Sequence, residues 1–193
     1  QALDISSPEF NQELSLLYDS NKDKIQSIAL YDMEGELLVA EPVTLQKKGV
    51  EVSRQSWFEN AKAKIENMHF STPHMQDLFQ DDAKRYHWVI SLSRAVDVID
   101  GDSPENGILL VDMKYSFIEE MMDRINDRTR GRYYYLCDRE GKLIYHPYAN
   151  EISNGLFQEN SVLASSSEDG IYRNLRSPHG ERQTMIVNTI SYT

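Results

Sequence analysis

Only one of the 193 residues is a cysteine, Cys137, so the chain forms no intrachain disulfide and offers no thiolate cluster to zinc. Set in an apolar run, this thiol reads as a small core residue rather than a nucleophile. Basic residues are scarce: 20 Lys and Arg face 31 Asp and Glu, for a formal net charge of −11. Neutralising a phosphate backbone needs a basic face, and this balance excludes nucleic acid as a partner. The charge itself reads as solubility. No apolar run approaches the ~18 residues that cross a bilayer, so a membrane attachment would lie in segments outside this sequence. Catalytic signatures are missing as well, with no Gly-x-Ser-x-Gly, phosphate loop or His-Glu-x-x-His. The chain therefore reads as a non-enzyme. His69, His74 and Asp77 match no helical or hairpin ligand spacing, and neither a metal nor a cofactor is expected.

What the sequence does contain is an internal repeat. Tyr31-Asp32-Met33-Glu34-Gly35-Glu36-Leu37-Leu38, ending at Pro42, returns as Cys137-Asp138-Arg139-Glu140-Gly141-Lys142-Leu143-Ile144, ending at Pro147. Each copy predicts a β-hairpin: an apolar run, an Asp leaving it, a Gly for the turn, and a Leu opening the return strand. A second pair, Arg85–Ser93 and Arg182–Ser191, predicts two strands in which a basic residue precedes alternating apolar and small polar positions. The repeat length is that of a small domain, far longer than a solenoid unit, and two similar modules in tandem follow.

Along the chain, Ser7 and Pro8 suit a helix start, with Phe10, Leu14, Leu17 and Ile25 at helical spacing, so a leading helix is expected over residues 1–27. Phe58, Ala61 and Ile65 share a helical face behind Trp57, and Met68–Asp82 reads as a long connection broken by Pro73. A strand over Tyr86–Ala95, a turn over Asp97–Asn106 and a strand over Gly107–Met113 close the first sheet. Ser116–Arg128 is predicted helical, with Phe117, Met121 and Ile125 on one side. The second module then holds strands near Tyr133–Leu136, Leu143–His146, Gly170–Leu175 and Gln183–Ser191, with a Pro178-His179-Gly180 turn before the last. A chain that opens at Gln1 and stops at Thr193 after a strand reads as a piece of something longer, its second sheet one strand short.

This order of elements resembles a double Cache sensor domain. The resemblance covers nearly the whole chain and rests on Trp57-Phe58 at a helix start, on Gly107-Ile108-Leu109-Leu110-Val111-Asp112, and on the paired hairpins. It implies an α+β fold: a long N-terminal helix, a membrane-distal PAS-like module over 28–130 and a membrane-proximal one over 131–193, each a central antiparallel sheet with flanking helices. It also implies an ectodomain on the extracellular face of the cell membrane that detects a small molecule, closest in style to those of Gram-positive sensor histidine kinases. A chemoreceptor sensor domain is the alternative, as is a scaffold or dimerisation domain that senses through a partner binding protein. Such receptors signal as dimers, so a homodimer is expected.

Amino-acid-binding members of that family carry a Tyr, an Arg-x-Trp-Tyr run, a later Tyr and an Asp closing the last strand. Trp57, Phe58 and Asp112 fall on the Trp, second aromatic and Asp positions. The Arg position falls on Gln55, with Arg54 one residue early; the first Tyr falls near Val50 and the later Tyr near His74. The candidate ligand-binding set is Arg54, Trp57, Phe58, His74, Trp88, Ser93 and Asp112, with Trp57, Phe58 and Trp88 as walls and the others as the polar groups that fix orientation. Structural roles compete for the same residues: the aromatics serve equally as core, Asp112 as a cap for the following helix, and His74 as a loop residue. The run Tyr133-Tyr134-Tyr135 is explained by strand propensity alone. Without an arginine at position 55, the bidentate clamp for a ligand carboxylate is missing.

Overall fold

The computed structural model describes residues 2–65, 68–80, 85–100, 103–126, 131–177 and 180–190, and the chain divides into two compact units, Gln1–Phe117 and Ile118–Thr193. The first opens with β1 (Leu3–Asp4) and α1 (Pro8–Asn21). Ser7 starts the helix as expected: its Oγ accepts the Phe10 N–H at 3.1 Å, and Pro8 takes the first turn, where no N–H is needed. The helix is nevertheless shorter than the 1–27 span. Of its expected apolar face only Leu14 is buried; Leu17 is exposed, and Ile25 pairs with Met113 as the first residue of β2 (Ile25–Asp32). A β-branched residue with a waiting partner strand joins the sheet rather than a helix end.

After β2 come β3 (Leu37–Glu41), a 3-10 turn (Val52–Arg54), α2 (Ser56–Ala63), β4 (His69–Phe70), β5 (His74–Met75), β6 (Trp88–Asp100) and β7 (Ser103–Lys114). They form a seven-stranded sheet in the order β1-β6-β7-β2-β3, with β4 and β5 also bonded to β6. The connection expected over Met68–Asp82 thus carries two short strands. The turn expected over Asp97–Asn106 is mostly ladder, because pairing continues out to Asp100↔Ser103 and β1 docks on Val98 and Ile99; Gly101 and Asp102 lie outside the described residues.

No bulge interrupts β6 against β7, so side chains alternate strictly and one face presents Ser91, Ser93 and Ala95 beside Ile108, Leu110 and Asp112 of β7. Ala29 and Tyr31 of β2 complete that face. Trp57, Phe58 and Ala61 of α2 pack onto it together with Val52, Leu78 and Phe79, forming the core of the unit. The small Ser and Ala side chains on the sheet leave room for a Trp and two Phe above it. Ile65, placed on this helix face by its spacing, lies past the helix end and is exposed.

α3 (Tyr115–Ile125) follows, and the division between units falls within it. Its buried residues are Ile118 and Met122 rather than Met121 and Ile125, which are exposed: the spacing was right and the face one residue out. The second unit continues with β8 (Leu136–Cys137), β9 (Leu143–Tyr145), α4 (Ala149–Ser153), α5 (Ser161–Ser165), β10 (Gly170–Arg176) and β11 (Arg182–Val187). Among the described residues its strands form two separate two-stranded ladders, β8-β9 and β10-β11, not one central sheet. Pro178, His179 and Ser191, named in the expected turn and last strand, lie outside the described residues, as do Asp127 and Arg128 of the expected helix.

The two hairpins repeat down to their atoms. In the first, Asp32 Oδ1 accepts the N–H groups of Glu34 at 2.9 Å and Glu36 at 2.8 Å, and Asp32 N–H donates to the Glu36 carbonyl at 3.0 Å. In the second, Asp138 Oδ1 accepts from Glu140 at 2.9 Å and Lys142 at 2.8 Å, and its N–H donates to the Lys142 carbonyl at 3.0 Å. Gly35 and Gly141 sit at φ +94° and +82°, and each faces backbone: a Cβ on Gly35 would lie 2.9 Å from Ser53 N, and one on Gly141 2.7 Å from Val162 Cα. Gly35→Ala combines a strained φ with a clash against main chain that cannot swing aside. It should destabilise the first unit by about 1–3 kcal/mol in urea unfolding, and an unchanged midpoint would refute the packing described for this turn.

Candidate ligand-binding site

Asp112 lies in the ladder directly between Ser27 of β2 and Ser91 of β6, which are its register partners on either side. Both hydroxyls turn to it. Ser27 Oγ donates to Oδ2 at 3.0 Å and Ser91 Oγ to Oδ1 at 2.5 Å, and the carboxylate is 1% exposed. His74 stands over this group with its Nε2 3.3 Å from Ser91 Oγ, and its Nδ1 faces the Thr72 carbonyl at 3.0 Å and Ser71 Oγ at 3.2 Å. The pairing of His74 with Val89 delivers the imidazole to the serine face of the sheet.

These side chains bound a cavity of about 60 Å³ lined by Gln55, Trp57, His74, Gln76, Asp77, Leu78, Ser91 and Asp112. Three of the expected residues, Trp57, His74 and Asp112, thus meet at one place. Phe58 is 1% exposed and stands behind the cavity as core, its ring centroid 5.7 Å from that of Trp57. Ser93 is a fastener: its Oγ donates to the Trp57 carbonyl at 2.9 Å and holds the first turn of α2 to β6. Arg54 does not reach the site. It belongs to the 3-10 turn before α2 and pairs with Glu51 at 2.7 Å, its side chain 80% exposed. Trp88 is also removed, because strand alternation sets it on the opposite face from Ser91 and Ser93, where it is 57% exposed beside Met75.

Sequence reasoning missed Ser27, Gln55, Gln76, Asp77 and Ser91 as contributors. Tyr31 was missed too. On the same sheet face as Asp112, its ring centroid is 5.6 Å from that of Trp57, and its buried hydroxyl has no hydrogen-bond partner among the described residues. Burial, with Asp112 nearby, pushes this phenol far above its ordinary range. Ser91 was within reach of the alternation rule, two residues before Ser93; the Gln76–Leu78 segment had no periodic signal at all.

The Cache domain family model matches residues 1–193. The chain belongs to the Cache domain family. As such it is an extracytoplasmic sensor domain. Among solved structures it is similar to the ligand-binding domain of the Pseudomonas aeruginosa PAO1 amino acid chemoreceptor PctB in complex with L-Arg, at TM-score 0.55 and 18% identity over 78% of this chain and 54% of that one. It is also similar to the P. aeruginosa PAO1 chemoreceptor PctC domain in complex with GABA, at TM-score 0.51 and 16% identity over 88% and 65% of the two chains. The extracellular domain of vpHK1S-Z8, a candidate histidine kinase, gives TM-score 0.51 and 15% identity over 86% and 68%. This Cache domain therefore spans about half to two thirds of the length of such domains. Among curated proteins none matches. No helix among the described residues is long and apolar enough to cross a membrane.

Burial pushes the Asp112 carboxyl above the ordinary aspartate range; the Ser91 and Ser27 hydrogen bonds and the nearby His74 act against that rise, and Asp77 adds to it. A carboxyl whose folded pKa is raised favours the fold most when protonated. Its contribution is complete below the unfolded value of 3.8 and is lost as pH rises through the folded value. Relative to wild type, Asp112→Asn should therefore gain stability progressively as pH climbs from about 4, with a slope of at most about 1.4 kcal/mol per pH unit. Urea unfolding of both proteins between pH 4 and 8 measures the difference, and two parallel stability curves would contradict it.

Proposed function

We propose that this Cache domain is the small-molecule-sensing part of a transmembrane signal-transduction receptor and that its ligand carries an ammonium group held by Asp112 in the first unit. The observation that carries this reading is the charge at the cavity: two carboxylates, Asp112 and Asp77, line it, and among the described residues no Lys or Arg does. An ammonium supplies the charge that Asp112 lacks and three donors for the oxygens gathered there, while the Trp57 ring offers a cationic head a π face. L-Arg and GABA, present in the PctB and PctC complexes, each bear both an ammonium and a carboxylate. Here the ammonium end has its counterpart and the carboxylate end does not, because Arg54 is turned out to Glu51. The favoured ligand is an amine without a carboxylate.

Sites for whole small molecules run to about 300–1,000 Å³, so a cavity of about 60 Å³ takes a head group, and the rest of the molecule needs Gln76–Leu78 to move outward. Binding then selects the expanded arrangement, and that shift is the signal. For the output, a sensor histidine kinase is the reading drawn from the order of elements, and vpHK1S-Z8 favours it. The PctB and PctC likenesses favour a chemoreceptor, and the sensing step is common to both.

In a thermal-unfolding screen of primary amines, zwitterionic amino acids and carboxylates, an amine at about 100 times its Kd should raise Tm by about 5–10 °C. Asp112→Asn and Trp57→Ala should abolish the rise. The rise should also shrink as pH falls through the raised Asp112 pKa, since the protonated carboxyl offers an ammonium no charge. A zwitterion or carboxylate that stabilises wild type and Asp112→Asn alike would overturn the assignment.

A further inference from the structure

The second unit contains a larger concavity with the opposite chemistry. An open groove of about 800 Å³ is lined by Leu143, Ile152, Phe157, Gln158, Ser161 and Arg176, among others. Its floor is apolar and its rim carries donors. Glu159, the one carboxylate there, is already satisfied: Oε2 accepts from Tyr133 OH at 2.5 Å and meets His146 Nε2 at 3.2 Å, and Oε1 accepts the Asn160 N–H at 2.8 Å. His146 Nδ1 accepts the Tyr148 N–H at 3.0 Å, which puts the ring proton on Nε2, pointing at Glu159. Burial alone would raise Glu159, but the hydrogen bonds from His146, Tyr133 and the Asn160 N–H, with the attraction of His146, hold its carboxyl below its ordinary range.

Glu159 is therefore a fixed, internally bonded anion whose work is to anchor the segment Phe157–Ser161. The rings of Tyr133, His146, Tyr148 and Phe157, with centroids 5.2–6.2 Å apart, brace it from behind. This gives Tyr133, first of the tyrosine run that the sequence left as mere strand preference, a structural role. In front of the anchor stand two groups with unused hydrogen-bonding capacity. Ser161 is 9% exposed and lines the groove, and its hydroxyl has no partner among the described residues. Arg176, at the end of β10, is exposed, and its guanidinium has no partner among the described residues; its carbonyl is tied to Asn160 Nδ2 at 3.4 Å.

A largely buried serine lining a groove, an uncommitted guanidinium at its rim, and a floor of Leu143, Ile152 and Phe157 match a molecule with an anionic head and an apolar body. We infer that the second unit binds a small organic carboxylate, with Arg176 and Ser161 holding the carboxylate and Phe157, Leu143 and Ile152 the body. The site is independent of the Asp112 cavity and takes ligands of opposite charge. A chain with both has two inputs.

Titrating sodium benzoate into the intact 15N-labelled chain should shift the amides of Phe157–Ser161 and Arg176 saturably, while benzyl alcohol, the same body without charge, should not. Arg176→Ala should weaken benzoate at least tenfold and Ser161→Ala severalfold. Because Arg176 is exposed, its removal should leave the amide spectrum otherwise dispersed. Asp112→Asn should leave benzoate binding intact, which keeps this test separate from the amine site. Equal binding of benzyl alcohol, undiminished benzoate binding in Arg176→Ala, or the absence of any shift with benzoate in the tens of millimolar would each overturn the inference.

Discussion

The first unit depends on one carboxyl group almost wholly withdrawn from bulk solvent. Asp112 occupies the centre of the sheet, and what makes that tolerable is that both neighbouring strands present a serine at the matching register position, Ser27 from β2 and Ser91 from β6. A buried polar group costs free energy unless it is fully bonded, and a shift of one residue in β6 would bring Ile90 or Leu92 in place of the Ser91 hydroxyl and leave the carboxyl short of a donor. The same residue thus fixes the register of three strands and supplies the chemistry of the cavity. Stability and reception are in tension at that position, as functional sites in general show local choices that the fold alone would not make.

The hairpin duplication has a different status. Asp32 and Asp138 close their turns with matching hydrogen bonds, and Gly35 and Gly141 each lie against backbone of a neighbouring segment. Around this shared piece the two units diverge. The first builds a seven-stranded sheet on it; the second, among the described residues, keeps the β8-β9 ladder separate from β10-β11 and fills its interior with rings and a hydrogen-bonded His146–Glu159 contact. The cores differ accordingly, one made of alanine, serine and large aromatics in layers, the other of aromatic edges around a charge.

How far the sequence revealed this depends on the range of the interaction that decided each feature. Local chemistry was legible: Ser7 and Pro8 as a helix start, both Asp-Gly turns, and Asp112 at the end of an unbroken apolar run. Alternation along β6 was legible in principle, and it separates Trp88 from Ser93 on the spacing of the two residues alone. Arg54 was misjudged because one residue in a 3-10 turn swings a side chain from the cavity to solvent, and no periodic pattern governs such a turn. Gln76 and Asp77 reach the site because β5 pairs with the start of β6, a contact set by tertiary packing. The groove of the second unit lay in what looked like a polar connection, its aromatic supports scattered from Tyr133 to Phe157 and joined only in space.

The way β6 is flanked bears on how copies of this chain can associate. Its outer side is occupied in turn by β5, β4 and β1, each two residues long, which use up successive stretches of its free amides and carbonyls. Open-ended stacking of sheets into fibres requires two receptive borders, one to be joined and one to join. With the β6 border taken up in this way, edge-to-edge growth of the first unit's sheet through β3 stops at a single pair of copies.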